Sequence, residues 1–177
     1  MKPTVTLHLV SSLDGFIAAQ DNSVTWMDSD AVYEKGVTGD DSAEVLQSID
    51  CYVLGSRTYE HALELGWPYG DTPVTVVTTR NLPSTRPTVE FYSGDLTRLV
   101  SEILAPRYRN IWLVGGAHLA QSFLKLGLVD EIRLMIAPVT LGEGLSLFGN
   151  GGTEQKWRLK DVVAYRNGYL DVSYRRR

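Results

Sequence analysis

Three predicted strands of the 177-residue chain end in turns whose side chains and backbone amides could bind phosphate. The turns are Gly55–Thr58, Thr78–Arg80 and Gly115–His118. The first two carry an arginine, and the two glycines of the third allow the backbone to approach a ligand closely. Free N–H groups in the first turn of a helix favour negative charge, and the first and third turns lead into predicted helices. NADPH, with a pyrophosphate and a separate phosphate, suits this set. FAD, coenzyme A, phosphorylated sugars and capped helices without any ligand stay open.

Asp14 is the candidate acid near these turns. It lies just past the predicted strand Val5–Val10 and is followed by Gly15. A carboxylate at a strand end can face a ligand cleft, but Asp-Gly is also a common turn sequence, and the residues alone favour the turn. His8, inside the strand, is interpreted as a core or sheet-face histidine whose hydrogen bonds are satisfied.

Composition and missing motifs exclude several classes of protein. The hydrophobic share of 44% and the charged share of 21% are those of an ordinary globular protein, and the net charge of -4 argues against nucleic acid as the main partner. Cys51, the single cysteine, excludes a disulfide framework and a multi-cysteine zinc site, and its apolar strand indicates an inert thiol. Walker A, G-x-S-x-G and H-E-x-x-H motifs are absent, as is an apolar run near the ~20 residues of a membrane span. We expect one cytoplasmic domain without a metal, a membrane or a nucleic-acid partner.

Alternating strands and helices would position the candidate residues. Apolar runs predict strands over 5–10, 50–55, 73–79, 88–92, 111–114 and 129–137. Helices are predicted over 43–49, after Ser56, after the cap residue Asp95, and from 117 to a stop at Gly127. Asn167-Gly168 predicts a C-terminal hairpin, with 175–177 as a solvated terminus. The pattern is that of an α/β sandwich with a largely parallel sheet and an antiparallel edge.

Two segments are left without a strand or helix. Residues 20–41 form a long polar stretch in which Trp26 is either a lid or pocket wall, or an anchor that holds the loop to the core. Residues 139–152 are rich in glycine and are either a loop over a cleft or a flexible connection.

Three motifs resemble the dihydrofolate reductase-like superfamily. They are SLDGFIA at 12–18, VLGSRTYE at 53–60 and LVGGAHL…LGLVDEIRLMIAPVTLGEG at 113–144. The similarity is closer to the branch that contains the C-terminal reductase domain of the bifunctional riboflavin-biosynthesis deaminase-reductase, and it covers nearly the whole chain. It implies a three-layer α/β/α sandwich with a mixed sheet of about eight strands, an NADPH cofactor and a homodimer. From the single cysteine we expect the zinc-binding deaminase half to be absent.

The resemblance also implies roles for individual residues. The 2′-phosphate side of the adenosine would be held by Gly55, Ser56, Arg57 and Thr58. The adenine and its ribose would be flanked by Thr78, Thr79 and Arg80. The pyrophosphate would be cradled by Gly115, Gly116, Ala117, His118 and Leu119, and the nicotinamide would lie along Ile17 and Ala18. The substrate pocket would include Asp14, Trp26, Pro138, Leu141 and Gly142.

The implied activity is an NADPH-dependent reductase that transfers a hydride to a C=N or C=O carbon of a small heterocyclic substrate, similar to 5-amino-6-(5-phosphoribosylamino)uracil reductase. Asp14, or a water held by Asp14 or Asp30, is the hypothesis for protonation. Asp28 and Asp30 follow Trp26, but neither matches the register of the acidic residue in folate reductases. The alternative is a non-catalytic NADPH- or pterin-binding protein that keeps the fold.

Overall fold

The computed structural model describes residues 2–27, 48–149 and 152–177, and the predicted helix over 43–49 lies mostly outside them. The described strands are β1 (Thr4–Ser11), β2 (Phe16–Ala18), β3 (Cys51–Gly55), β4 (Val74–Val77), β5 (Val89–Tyr92), β6 (Asn110–Gly115), β7 (Glu131–Ile136), β8 (Leu145–Ser146), β9 (Trp157–Ala164) and β10 (Leu170–Arg176). The described helices are α1 (Ser56–Glu64), α2 (Leu96–Arg98) and α3 (Ala117–Lys125). A π-helical segment, Leu99–Leu104, continues α2, and Thr25–Met27 forms a 3₁₀ turn.

Eight of the strands form one mixed sheet in the order β5-β4-β3-β6-β1-β7-β10-β9. The strands from β5 to β7 in this order run parallel, and β10 is antiparallel to both of its neighbours. The turn at Asn167-Gly168 joins β9 and β10, so the predicted hairpin and the predicted antiparallel edge are confirmed. Asp95 also caps α2 as predicted, since its carboxylate accepts a hydrogen bond from the backbone N–H of Arg98 at 2.8 Å.

Helices cover both faces of the sheet. Because side chains alternate along a strand, Val53 and Leu54 of β3 belong to different buried clusters. Val53 shares its cluster with Phe123 of α3, whereas Leu54 shares its cluster with Tyr59 of α1. The predicted three-layer α/β/α sandwich is therefore confirmed. Cys51 is buried, and its burial raises the pKa of the thiol to about 11, as expected for an inert residue.

Two predictions for the polar segments need correction. Arg175 and Arg176 belong to β10 and are not an irregular terminus, although Arg175 and Arg177 are exposed as predicted. Arg175 Nε donates to the Glu131 carboxylate at 2.9 Å, and the backbone N–H of Arg176 donates to the Asp130 carbonyl at 2.9 Å. The glycine-rich segment also contains a strand, since β8 pairs with β2 in a separate two-stranded sheet. Among the described residues no helix is long and apolar enough to cross a membrane.

Candidate functional site

A cavity of about 1250 Å³ opens at the carboxyl ends of the parallel strands. Such an edge is where open α/β sheets bind ligands, and the volume is large for a small-molecule site and sufficient for a dinucleotide with a second ligand. The strand ends of β3 and β6, the first turns of α1 and α3, and part of β2 all contribute to its wall.

Two helix N-termini meet in the wall of this cavity. Gly55 precedes α1 and Gly116 precedes α3, and neither helix has a side-chain hydrogen bond at its N-cap. A Cβ atom on Gly55 would lie 3.8 Å from the Gly115 carbonyl oxygen, so the two turns are in contact. Gly115 has a φ of +103°, a backbone conformation that residues other than glycine rarely adopt. The paired, uncapped amide groups form a cradle with partial positive charge that fits a pyrophosphate.

The two predicted phosphate-binding arginines differ in their pairing. The Arg80 guanidinium donates to both oxygens of Glu60, at 2.8 and 2.6 Å, and these bonds hold the pKa of the Glu60 carboxyl below its ordinary value. Arg57 lines the cavity in the first turn of α1 and makes no hydrogen bond or ion pair with any described residue. Arg57 is therefore the cation that is available to a phosphate.

Asp14 holds a neighbouring loop. Its carboxylate accepts hydrogen bonds from the Ser12 hydroxyl at 2.6 Å and from the backbone N–H groups of Leu141 and Gly142 at 3.1 and 2.7 Å. Donation by the Ser12 hydroxyl, followed by the two amides, lowers the pKa of Asp14 to about 2. A carboxyl group with this pKa is ionised at neutral pH and is a poor proton donor.

Trp26 anchors its segment to the core. It packs against a buried cluster that contains Ala137, Val163 and Tyr169. Trp26 itself is not part of the cavity wall. Tyr169 Oη donates to the carbonyl of Met27 at 3.0 Å and fastens the same 3₁₀ turn. Met27, directly after Trp26, does line the cavity. Of the two alternatives for Trp26, the structure favours the anchor.

A row of four ring side chains forms a further part of the wall that sequence reasoning missed. Tyr69, Tyr52, Trp112 and His8 all line the cavity. Ring centroids are 4.6 Å apart for Tyr69 and Tyr52, 5.7 Å for Tyr52 and Trp112, and 4.2 Å for Trp112 and His8. The alternation of side chains along a strand could have located three of these rings. His8, Trp112 and Tyr52 are each next to a buried residue of the same strand, Leu7, Leu113 and Val53, and therefore face the opposite side of the sheet.

His8 lies on the sheet face as predicted, but the prediction that its hydrogen bonds are satisfied was wrong. Its Nε2 is buried and has no hydrogen-bond partner. Burial, followed by the charge of Arg133 and opposed by Asp171, lowers the pKa of His8 to about 4. The imidazole is therefore neutral at physiological pH and carries an unsatisfied polar atom at the cavity wall.

Comparison with known proteins identifies the family. A model of the RibD C-terminal domain matches residues 3–170. The chain belongs to the RibD C-terminal domain family. The uncharacterized protein YwjB of Bacillus subtilis (strain 168) is 32% identical over 167 residues, which are 93% of this chain and 94% of YwjB. The riboflavin biosynthesis protein RibD of Corynebacterium ammoniagenes is 27% identical over 172 residues, but these are 84% of this chain and only 47% of that protein.

Solved structures confirm the fold of this RibD-like domain. A putative riboflavin biosynthesis protein from Shewanella sp. PV-4 superimposes with a TM-score of 0.83 at 23% identity, over 98% of this chain and 99% of the other. The deaminase and 5-amino-6-(5-phosphoribosylamino)uracil reductase of Thermotoga maritima superimposes with a TM-score of 0.68 at 16% identity. The match covers 99% of this chain and 57% of the other. The predicted resemblance is confirmed, and the chain is a RibD C-terminal domain with the dihydrofolate reductase-like fold.

The RibD-like cavity brings together most of the predicted cofactor residues. Its wall includes Ile17, Ala18, Gly55, Ser56, Arg57, Thr58, Arg80, Gly116, Ala117, His118 and Leu119. Thr78, Thr79 and Gly115 are not part of the wall, although the Thr78 hydroxyl accepts a hydrogen bond from the Arg80 amide at 3.0 Å. Asp14, Trp26, Pro138, Leu141 and Gly142, the predicted substrate residues, also lie outside the wall. Asp30 lies outside the described residues.

Proposed function

We propose that this RibD-like domain is an NADPH-dependent reductase of a small heterocyclic substrate. The observation that carries the proposal is the pair of uncapped helix N-termini, at Gly55 and Gly116, together with Arg57, which has no hydrogen bond or ion pair with a described residue. The cradle suits a pyrophosphate and the arginine suits a 2′-phosphate, so the residues fit NADPH. When bound, the nicotinamide would supply a hydride for a C=N or C=O carbon of the substrate.

The residues of the chain would position the reactants and exclude water. Ile17 and Ala18 are buried residues of β2 that border the cavity, and they provide a flat apolar contact for a ring. The pairing of β2 with β8 fixes this contact, and Gln121 Nε2 holds β8 by donating to the Ser146 carbonyl at 2.9 Å. Fixing two rings in contact lowers the entropic part of the barrier.

The proton comes from solvent water in this proposal. No carboxylate is found among the described residues of the cavity wall. Asp14 is ionised and bound to the 141–142 loop, and His8 is neutral with a pKa of about 4. We therefore no longer assign Asp14 as the acid.

The test is a titration of the purified protein with NADPH and NADH, followed by thermal shift and tryptophan quenching. A ligand that binds the native state stabilises it by RT ln(1 + [L]/Kd). We expect NADPH to bind at least about tenfold more tightly than NADH, and Arg57→Gln to remove this preference without weakening NADH. Arg158→Gln, on the exposed edge strand β9, is the matched control. No shift with either nucleotide at millimolar concentration would overturn the proposal.

The described residues of the cavity wall include no carboxylate that could act as an acid, and this also favours a second candidate function. In that candidate the protein binds NADPH or a pterin but catalyses no reaction. Tight NADPH binding without oxidation across pterin, aminopyrimidine and carbonyl substrates would support this alternative. The homodimer stays a prediction, which sedimentation analysis of the same preparation would test.

A further inference from the structure

The row of rings, Tyr69, Tyr52, Trp112 and His8, is a part of the cavity that the proposed cofactor does not require. Tyr52 and Trp112 are directly opposite each other in the pairing of β3 and β6. Trp112 is opposite Thr6 of β1, so His8 follows two residues later on the same face of the sheet. The row therefore crosses three neighbouring strands and offers a continuous aromatic surface to a flat ligand.

Three side-chain polar atoms of this row have no hydrogen-bond partner among the described residues, whereas Trp112 Nε1 donates to the His8 carbonyl at 3.4 Å. His8 Nε2 is buried without a hydrogen bond. Tyr52 and Tyr69 make ring contacts, but neither hydroxyl has a hydrogen-bond partner among the described residues. Burial raises the pKa of both tyrosines, to about 12 for Tyr69, so both remain neutral donors. The buried Nε2 carries the cost of an unsatisfied polar group, and a ligand that bonds to it would remove this cost. The two hydroxyls are not buried in this way and can bond to a ligand in place of water.

The row carries no positive charge. Arg57 and Arg80 are the only lysines or arginines among the described residues of the wall, and both follow the carboxyl ends of strands. Tyr52 lies three residues before Gly55, so it is about 10 Å from that end along β3. Arg133, which lies next to His8 in the pairing of β1 and β7, is bound by both carboxylate oxygens of Asp171. A phosphate placed on the row would find no free cation among these residues.

We propose that the aromatic row is the substrate-recognition surface and that it takes an uncharged planar heteroaromatic ring, with the His8 imidazole and the Tyr52 and Tyr69 hydroxyls as hydrogen-bond partners. The reduction of that ring rests on the proposed function, whereas its binding does not. The ligand class differs from the phosphoribosyl compound in the name of the Thermotoga maritima neighbour.

Binding is tested first without any nucleotide. Pterin is the probe for binding of an uncharged heteroaromatic ring. Uridine and uridine 5′-monophosphate differ only by a phosphate, so a comparison of the two measures what a phosphate contributes to affinity. Calorimetry and quenching of tryptophan fluorescence report the affinity. We expect pterin to bind, and the phosphate of the uridine pair to change the affinity by less than twofold. Tenfold tighter binding of the phosphorylated partner, or no binding of pterin and uridine at millimolar concentration, would overturn the inference.

Variants then assign the binding to the row. His8→Leu should weaken pterin at least tenfold, and Tyr52→Phe and Tyr69→Phe should each weaken it several-fold. His8→Gln keeps a neutral hydrogen-bonding side chain and should recover part of the loss. Tyr108→Phe is the matched control, because Tyr108 is outside the cavity wall. Unchanged pterin binding in His8→Leu would remove His8 from the site.

A spectroscopic readout separates recognition from a structural role. The chain has three histidines, so ¹⁵N labelling of the imidazoles gives a spectrum that His8→Gln can assign. Pterin should shift the His8 ring nitrogens and leave those of His118 unchanged. Pterin binding with no change at His8 would contradict the proposed hydrogen bond. If pterin binds but NADPH does not, the proposed function fails and the inference about the row stands.

Discussion

The Asp14 carboxylate lies 2.7 Å from the backbone nitrogen of Gly142, across 128 residues of sequence. The bond joins the turn after β1 to the loop that leads to β8, and Leu141 donates to the same carboxylate at 3.1 Å. Ser12 completes the arrangement, because its hydroxyl donates to Asp14 and accepts from the Phe16 amide at 3.0 Å. Asp14 is thus a structural residue, and it lies outside the cavity wall.

Replacing Asp14 by asparagine should destabilise the protein at neutral pH. The folded-state pKa of about 2 is below the ordinary value of 3.8, so the stabilisation is present above about pH 4 and is lost as the pH falls toward 2. The stability difference between wild type and Asp14→Asn should therefore narrow over that interval. Urea denaturation at several pH values measures it. Asp71→Asn is the control, since Asp71 is exposed and has no hydrogen bond among the described residues. A stability difference between wild type and Asp14→Asn that stays constant from neutral pH to about pH 2 would contradict the expectation.

His8 should make the protein acid-sensitive in a different interval. Its pKa falls from 6.5 to about 4 on folding, so the unfolded chain binds more protons between these values. The stabilisation of the neutral form is complete above pH 6.5 and is lost as the pH falls to 4, by up to about 3 kcal/mol. His8→Leu should show a shallower decline in the free energy of unfolding from pH 7 to 4.5. Parallel curves for the two proteins would show that His8 is accessible to solvent.

The sequence predicted the parts of this structure that depend on local pattern. Alternation and apolar runs located β1, β3, β6 and the final hairpin, because each strand buries its own side chains in the sheet. The cap at Asp95 and the glycine-led turns at Gly55 and Gly116 were predicted for the same reason, since a helix start depends on a few adjacent residues.

Relationships between distant segments could not be predicted in this way. The role of Asp14 depends on amides of Leu141 and Gly142, and the pairing of β2 with β8 depends on a backbone contact over a similar distance. The aromatic row required the register of β3, β6 and β1, which no single strand specifies. The sheet-face position of His8 was predicted, but its unsatisfied ring nitrogen was not, because its surroundings are set by Trp112, Arg133 and Asp171 on other strands.

Gly144 should tolerate no side chain. A Cβ atom there would overlap the Ala18 carbonyl oxygen, which is backbone and cannot rotate away, and φ is +149°. Gly144→Ala should lower the free energy of unfolding by more than about 2 kcal/mol and should weaken any ligand that rests on Ala18. Gly142→Ala is the matched control, because φ is +76° there but the space is open, and it should cost about 1–2 kcal/mol. Equal losses in the two variants would contradict the steric argument.

Glu60 should limit the affinity for NADPH under the proposed function. Its carboxylate neutralises Arg80 through two hydrogen bonds, while Arg57 makes no hydrogen bond with a described residue and acts on Glu60 only through its charge. Glu60→Gln leaves the site with one more net positive charge, so NADPH should bind several-fold more tightly and NADH should be unaffected. The gain should shrink at high salt, since these side chains are partly exposed. Calorimetry with both nucleotides measures the effect, and an equal gain for NADH would show that the 2′-phosphate is not involved.

Loss of one partner from the ion pair between Arg133 and Asp171 should lower the free energy of unfolding more than loss of one partner from an exposed ion pair. The two side chains are only 17% and 4% exposed, and Arg133 Nε contacts both carboxylate oxygens, at 3.0 and 2.9 Å. Asp171→Asn leaves a buried guanidinium without its counter-charge, and we expect a loss of about 3–5 kcal/mol in the free energy of unfolding. Replacing both residues by apolar ones, Arg133→Met with Asp171→Val, should cost less than the single change because no charge is left buried. The surface pair of Arg98 and Glu102, with 71% and 57% exposure, is the control, and Glu102→Gln should cost less than about 1 kcal/mol. If Asp171→Asn cost no more than Glu102→Gln in urea denaturation, the Arg133 charge would have to be solvated in the folded protein.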